Sequence, residues 1–181
     1  MVAGWCTLLN KVVFLDRDGV INVKAKEHDY IKCWEEFKFL PKVIDAIKLL
    51  NKNGFIVIVV SNQRGVARGI MTVGSLNEIH INMLQELQEN DARIDSVYFC
   101  PHDIGECNCR KPDIGLFIRA EKDYPNLDKN SAYMIGDSKT DIEAGIRYGI
   151  RTIKIGKSCN LENYLANDLF EAASIIVRSE V

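Results

Sequence analysis

Val12-Val13-Phe14-Leu15-Asp16-Arg17-Asp18-Gly19-Val20 carries the reading of this chain. The apolar run has the length and β-branched content of a buried strand, and it stops on two acids two residues apart, followed by glycine. In an open α/β sheet, ligands bind beyond the carboxyl ends of the strands. Such a strand would deliver both carboxylates to a place where a hard cation and a nucleophile are useful. The other reading is a solvated turn in which Gly19 takes positive φ. D-x-D-G is too short to choose between them; three later stretches of the chain bear on the choice.

The bulk properties narrow the field first. A chain of 181 residues, 47% hydrophobic and 27% charged with four prolines, is ordinary for one globular domain spanning 1–181. A net charge of −2 requires neither nucleic acid nor an anionic membrane as partner, so any phosphate selectivity must be built locally. The longest apolar runs are about strand length, short of the roughly 20 residues a membrane span needs. Met1 to Asn10 lacks the charged start and apolar core of a signal peptide. Six cysteines without such a signal point to a reducing, cytoplasmic setting and to metal or free thiols rather than disulfides. Nothing requires more than a monomer.

Strand-like and helix-like segments alternate from Lys11 onward. Lys11–Asp16, Phe55–Val60, Ser96–Cys100, Tyr133–Gly136 and Thr152–Ile155 read as strands. Pro41–Asn53, Thr72–Glu89, Ile114–Asp123 and Thr140–Tyr148 repeat apolar residues at helical spacing. From Leu161 to Arg178 the pattern allows one or two short helices and a final edge strand at Ile175–Val177. This βαβα alternation predicts a central parallel sheet with helices on both faces. Residues 21–40 break the rhythm; a polar and aromatic connection of that length is a functional flap or a peripheral hairpin.

Three strand ends then return chemistry to one edge. Ser61-Asn62-Gln63-Arg64-Gly65 offers a hydroxyl, amides and cationic charge that can wrap a phosphate, or else forms a polar turn. Gly136-Asp137-Ser138-Lys139-Thr140-Asp141 brings two more acids, of which Asp141 is also explained as a helix-start residue favoured by the dipole. Carboxylates gathered in one cleft repel unless a cation neutralises them, and an all-oxygen set suits Mg²⁺. Lys111, in Arg110-Lys111-Pro112, can hold a phosphate, and Pro112 biases it away from helical dihedrals. Just upstream, Cys100, His102, Cys107 and Cys109 match a closed Cys₃His zinc site, against free thiols or a redox pair. A zinc with four protein ligands has no open position, so its role would be to brace the loop 100–112.

With these motifs in order the chain resembles the haloacid dehalogenase-like phosphatases, and within them the zinc-containing heptose bisphosphate phosphatases and the similar histidinol phosphatases. FLDRDGVIN (Phe14–Asn22), SNQRGVARG (Ser61–Gly69), CPH…CNCRKP (Cys100–Pro112) and MIGDSKTDIEAG (Met134–Gly145) carry the resemblance. It implies a Rossmann-like α/β fold with no large cap domain and a small zinc-binding loop. It implies Asp16 as the nucleophile and Asp18 as general acid and base. Asp16, the backbone carbonyl of Asp18, and Asp137 would hold Mg²⁺, with Asp141 behind them. Ser61 and Asn62 would bind phosphate, and Lys111 would stabilise the transferring group; Gln63 and Arg64 are further phosphate-binding candidates from the residues themselves, Arg64 either touching a distal phosphate or facing solvent. Arg110 would recognise substrate, and His28, Asp29 and Tyr30 would close over a sugar.

The activity so implied is removal of the 7-phosphate of D-glycero-D-manno-heptose 1,7-bisphosphate, feeding nucleotide-activated heptose for surface glycans. L-Histidinol phosphate is the alternative substrate, and a catalytically silent zinc-braced binding module the alternative of another class. The sequence departs from the family pattern in a longer Asn22–His28 connection, in Ile114 where proline is common, and in Arg64 where a small residue is expected.

Overall fold

The computed structural model describes residues 9–26 and 29–180. Its elements run β1 (Asn10–Leu15), α1 (Val43–Lys52), β2 (Ile56–Asn62), α2 (Val73–Glu89), β3 (Ser96–Cys100), α3 (Gly115–Asp123), β4 (Leu127–Gly136), α4 (Lys139–Tyr148), β5 (Arg151–Ile155), β6 (Tyr164–Ala166) and α5 (Leu169–Ser179). The six strands form one parallel sheet in the order β3-β2-β1-β4-β5-β6. The fold is the Rossmann-like one expected, and among the described residues of the β1–α1 connection a short 3₁₀ turn, Trp34–Glu36, stands in place of a cap domain.

Strand β1 lies inside the sheet, pairing Val13 with Val57 of β2 on one side and with Tyr133 of β4 on the other. Its residues alternate between two cores, as the pleat demands. Val13 and Leu15 face the layer of α1, α2 and α5 with Ile47, Leu76, Ile79 and Ile176. Val12 and Phe14 face α3 and α4, where Phe14 meets Phe117 edge-on at 4.9 Å between ring centres. A strand buried on both faces has no polar position to spare, so its first acids fall where it leaves the sheet.

Two details depart from the sequence reading. The expected edge strand at Ile175–Val177 lies inside α5, and the sixth strand is Tyr164–Ala166, beside β5. Leu169, Ala172, Ala173 and Ile176 make one buried helical stripe, and Asp168 caps the helix by accepting from the Glu171 N–H at 2.8 Å. Packing of that stripe outweighs the β-branched character of the run. The segment 21–40 combines both of its readings. Its base is a narrow ribbon, with Val23 N donating to Lys38 O at 2.8 Å and Leu40 N to Ile21 O at 2.9 Å. Trp34 stacks on Phe37 at 4.9 Å to anchor it, and Lys24, Ala25, Asp29, Tyr30 and Ile31 line the cleft at the ends of the strands.

Candidate active site

The ends of β1, β2 and β4 open into one cleft of ≈ 230 Å³. Asp16, Asp18, Asn62, Gln63, Arg110, Lys111, Asp137 and Asp141 line its floor and walls, and Lys24, Asp29 and Tyr30 its rim. Ser61 lies just beneath, buried, with its Oγ 2.8 Å from Gln63 Nε2. Arg64 is turned away, its guanidinium paired with Asp103, so it ties the β2 loop to the cysteine-rich loop rather than facing the cleft. His28 falls outside the described residues.

Lys111 organises the floor. Only 2% exposed, its Nζ lies 2.8 Å from Asp16 Oδ1 and 2.6 Å from Asp141 Oδ1, and donates to Val60 O at 2.6 Å. Asn62 fixes its backbone from both sides, with Lys111 N donating to Asn62 Oδ1 and Asn62 Nδ2 to Lys111 O, each at 3.0 Å. Asn62 thus serves chiefly as a clamp on Lys111. Burial works against the Lys111 charge, but Asp141 and Asp16 outweigh it and hold its pKa above the ordinary lysine value. One ammonium shared by two carboxylates leaves the second poorly compensated. Burial pushes Asp16 up to about 7, with Asp141 and Asp18 adding to the rise and Lys111 opposing it.

Asp141 owes its place to a local motif. Ser138 and Asp141 form a capping box at the start of α4, in which Asp141 Oδ2 accepts from Ser138 N at 3.0 Å and from its hydroxyl at 2.6 Å. Gly136 leaves the room, since a Cβ there would run into the Asp141 side chain. Gly19 combines φ of +88° with close approach, for its absent Cβ would collide with the Asp137 carboxylate.

Asp18 points elsewhere. Its carboxylate accepts from Arg17 Nη2 at 3.0 Å, Asn22 Nδ2 at 2.9 Å and Gln63 Nε2 at 2.8 Å. Burial favours the protonated acid, but the Arg17 guanidinium and these hydrogen bonds prevail and hold Asp18 below the usual carboxylate range. Arg17, fully buried, also reaches Gln63 Oε1 and His80 Nε2, both at 3.3 Å. Burial and that neighbouring guanidinium depress His80 to about 3, so the ring is neutral and accepts from Arg17.

Arg17 and His80 were missed in the sequence reading, although an arginine between two strand-end acids and a lone histidine on the apolar stripe of α2 were visible. Lys154 was missed too. It is buried in β5 and donates to the Asp137 backbone carbonyl at 2.6 Å.

Oxygens of Asp16, Asp137 and Asp141 lie within 4.8 Å of one another. Asp137 Oδ1 is buried with no hydrogen-bond partner among the described residues. Five carboxylates line the cleft with three cationic side chains, and two further cations, Arg17 and Lys32, pair with Asp18 and Asp29. The close oxygens of Asp16, Asp137 and Asp141 are an all-oxygen set of the kind that suits a divalent cation. Both oxygens of Asp141 are already engaged, by Ser138 and Lys111, which leaves it support for the other two rather than a free ligand. A second constellation lies in the loop after β3. Cys100 Sγ, His102 Nδ1, Cys107 Sγ and Cys109 Sγ converge with neighbouring separations of 3.3 to 3.6 Å. Four soft donors facing one point fit a zinc loop.

The comparisons with known proteins agree with this geometry. The family model for polynucleotide kinase 3 phosphatase matches residues 11–168. The D-glycero-beta-D-manno-heptose-1,7-bisphosphate 7-phosphatase of Escherichia coli K12 is 34% identical, with 93% of this chain and 94% of that protein covered. Its Haemophilus influenzae namesake is 37% identical over 76% of this chain and 77% of its own length. The D,D-heptose 1,7-bisphosphate phosphatase from B. bronchiseptica, solved with magnesium and phosphate, superposes with a TM-score of 0.84 at 28% identity, covering 93% of this chain and 99% of that one.

A parallel sheet with strand-end acids around a buried lysine is the mark of the haloacid dehalogenase-like phosphatases, and this chain is a phosphoric monoester hydrolase. It belongs to the family that the polynucleotide kinase 3 phosphatase match and the heptose bisphosphate phosphatases together define.

Proposed function

We propose that this phosphatase removes the 7-phosphate of D-glycero-D-manno-heptose 1,7-bisphosphate, acting in the cytoplasm on the route to nucleotide-activated heptose for surface glycans. The observation that carries the reading is the Lys111 bridge between Asp16 and Asp141, set beside a buried Asp137 oxygen that lacks a partner. The names of relatives matching over nine-tenths of the chain support a sugar bisphosphate over a polynucleotide.

In the proposed cycle an Asp16 carboxylate oxygen attacks phosphorus in line with the sugar oxygen. The new bond forms as the phosphorus–sugar oxygen bond breaks, and Asp18 gives the departing alkoxide its proton. Water then attacks the phosphorylated Asp16 while Asp18 takes the water's proton, releasing inorganic phosphate and restoring both acids. For this Asp18 must leave the Arg17, Asn22 and Gln63 cluster that keeps it ionised and turn into the cleft already protonated. Lys111 stays on Asp16 and meets the transferring phosphoryl group, where charge stabilisation acts most strongly. Asp16, the Asp18 backbone carbonyl and Asp137 would hold Mg²⁺, which would supply positive charge for that group. Arg110 Nη1, buried without a partner among the described residues, is free to meet the substrate. The four soft donors would hold Zn²⁺, which would brace the loop that presents Arg110 and Lys111.

The test is phosphate release from three substrates with and without Mg²⁺: heptose 1,7-bisphosphate, L-histidinol phosphate and a 3′-phosphorylated oligonucleotide. Mg²⁺-dependent preference for the first is expected. Preference for either of the others replaces the substrate assignment, and release from none of them overturns the heptose reading and places the substrate among other phosphate monoesters.

A further inference from the structure

Lys24 stands on the rim of the cleft and touches its metal-facing edge. Its Nζ lies 2.8 Å from Asp137 Oδ2, while 56% of its side chain remains exposed. The tethered ammonium thus covers Oδ2 of Asp137, beside the Oδ1 that has no partner among the described residues. The other acids of the cleft are engaged: Asp16 and Asp141 with Lys111, Asp18 with Arg17, Asp29 with Lys32 at 2.9 Å. A lysine displaced from Asp137 therefore finds no spare carboxylate among the cleft-lining residues.

The backbone leading to Lys24 is tied on one side: Asn22 bridges to Asp18 and to Phe39, and Val23 is bonded to Lys38. The long, half-exposed Lys24 stem stands on the same cleft rim as Ala25, Asp29 and Tyr30. A divalent cation held by Asp137 would compete with the ammonium for that carboxylate and repel it at a few ångströms. On the floor, Lys111 already serves the phosphoryl group being transferred. The displaced ammonium is left to meet whatever negative charge the substrate carries at its other end.

We propose that Lys24 exchanges partners, from Asp137 in the metal-free protein to a second phosphate of the substrate once a divalent cation holds Asp137, and that it thereby selects bisphosphates over monophosphates. The second half of the exchange rests on the sugar bisphosphate reading; the first half does not.

Two measurements on Lys24→Gln and Lys24→Arg test it. Mn²⁺ titration of the zinc-replete protein without substrate should show Lys24→Gln binding about threefold tighter, the scale of an exposed ion pair, and Lys24→Arg unchanged. Steady-state kinetics should show KM for the bisphosphate about tenfold higher in Lys24→Gln, as for a lost charged hydrogen bond, with kcat kept. KM for the matching monophosphate should move less than about twofold, and Lys24→Arg should restore the bisphosphate value. Unchanged Mn²⁺ affinity overturns the exchange at Asp137, and equal KM shifts on both substrates overturn the selectivity. A wild-type protein that favours the monophosphate breaks the substrate reading and the second half with it. The Mn²⁺ titration still upholds or overturns the first half.

Discussion

The two ligand clusters of this protein differ in how they are closed. The sulfur-rich cluster comes from one short loop, with four donors separated by 3.3 to 3.6 Å and none needed from elsewhere. The oxygen cluster is assembled from two strand ends and a helix start, and lysines take up part of it: Lys111 on Asp16 and Asp141, Lys24 on Asp137. A set that closes on itself leaves no position for substrate and suits a brace. A set whose charges are met by lysines reaching in from other elements stays open on the cleft side, where a ligand can enter. Rigidity is local in the first, and reactivity is long-range in the second.

Breaking the open cluster should have the largest effect. Asp16→Asn should reduce turnover by at least about 10⁴-fold, as loss of a nucleophile does, while far-ultraviolet circular dichroism stays unchanged. Substantial residual turnover would falsify the nucleophile assignment. Breaking the closed cluster should act at a distance. Cys107→Ser should lose zinc by elemental analysis, lower the unfolding temperature, and cut activity roughly 10- to 100-fold through misplacement of Lys111. Wild-type protein purified without zinc and fully active would remove the bracing role.

The pH dependence sharpens the comparison, because only the open cluster holds a carboxylate raised to about 7. Below that value a proton competes for Asp16, so Mn²⁺ affinity should fall as pH drops from 8 to 6, approaching about tenfold per unit. In metal-free protein the sign for stability is the reverse. Folded Asp16 keeps its proton between 3.8 and about 7 while the unfolded chain has lost it, so its contribution to stability falls as pH rises through that window and is constant above it. Asp18, held below the usual range, contributes stability that is lost only in more acidic solution. The stability difference between wild type and Asp16→Asn should therefore widen from pH 4 to 7, and a difference that does not vary with pH would contradict it. The smallest effect is expected where the two regions are joined at the surface. Arg64→Ala, which breaks the pair with Asp103, should change kcat/KM less than about twofold. A larger loss would mean that this link transmits the position of the loop to the cleft.

Much of the architecture was legible because it is written in local patterns. Strands β1 and β2 are continuous apolar runs ending in polar clusters, and α4 shows in its apolar spacing and in Asp141 as a helix-start acid. The tail was misread because Ile175–Val177 has strand-like composition, and only docking of Leu169 and Ile176 into the core makes it helical. Of the site, the acids, Lys111 and the four soft donors were legible from their place at strand ends and their spacing. Ser61 and Asn62 stand as phosphate ligands only through the family resemblance; what the residues alone did not give is that Ser61 meets Gln63 and that Asn62 clamps the Lys111 backbone. Hydroxyls and amides have too many partners for a linear pattern to choose among them.

By itself the amino-acid order determined which residues leave the sheet at its reactive edge, since period-2 and period-3.6 burial fixes where an apolar run must stop and a carboxylate can begin. It determined the soft-donor loop as well, whose members are too close in the chain to be far apart in space. Only the tertiary structure decided what each charge faces. Arg17 meets His80 across 63 positions and Lys24 meets Asp137 across 113. Those meetings depend on strand order and helix docking, and in a buried site the nearest opposite charge decides whether a carboxylate holds a proton, a lysine or a metal.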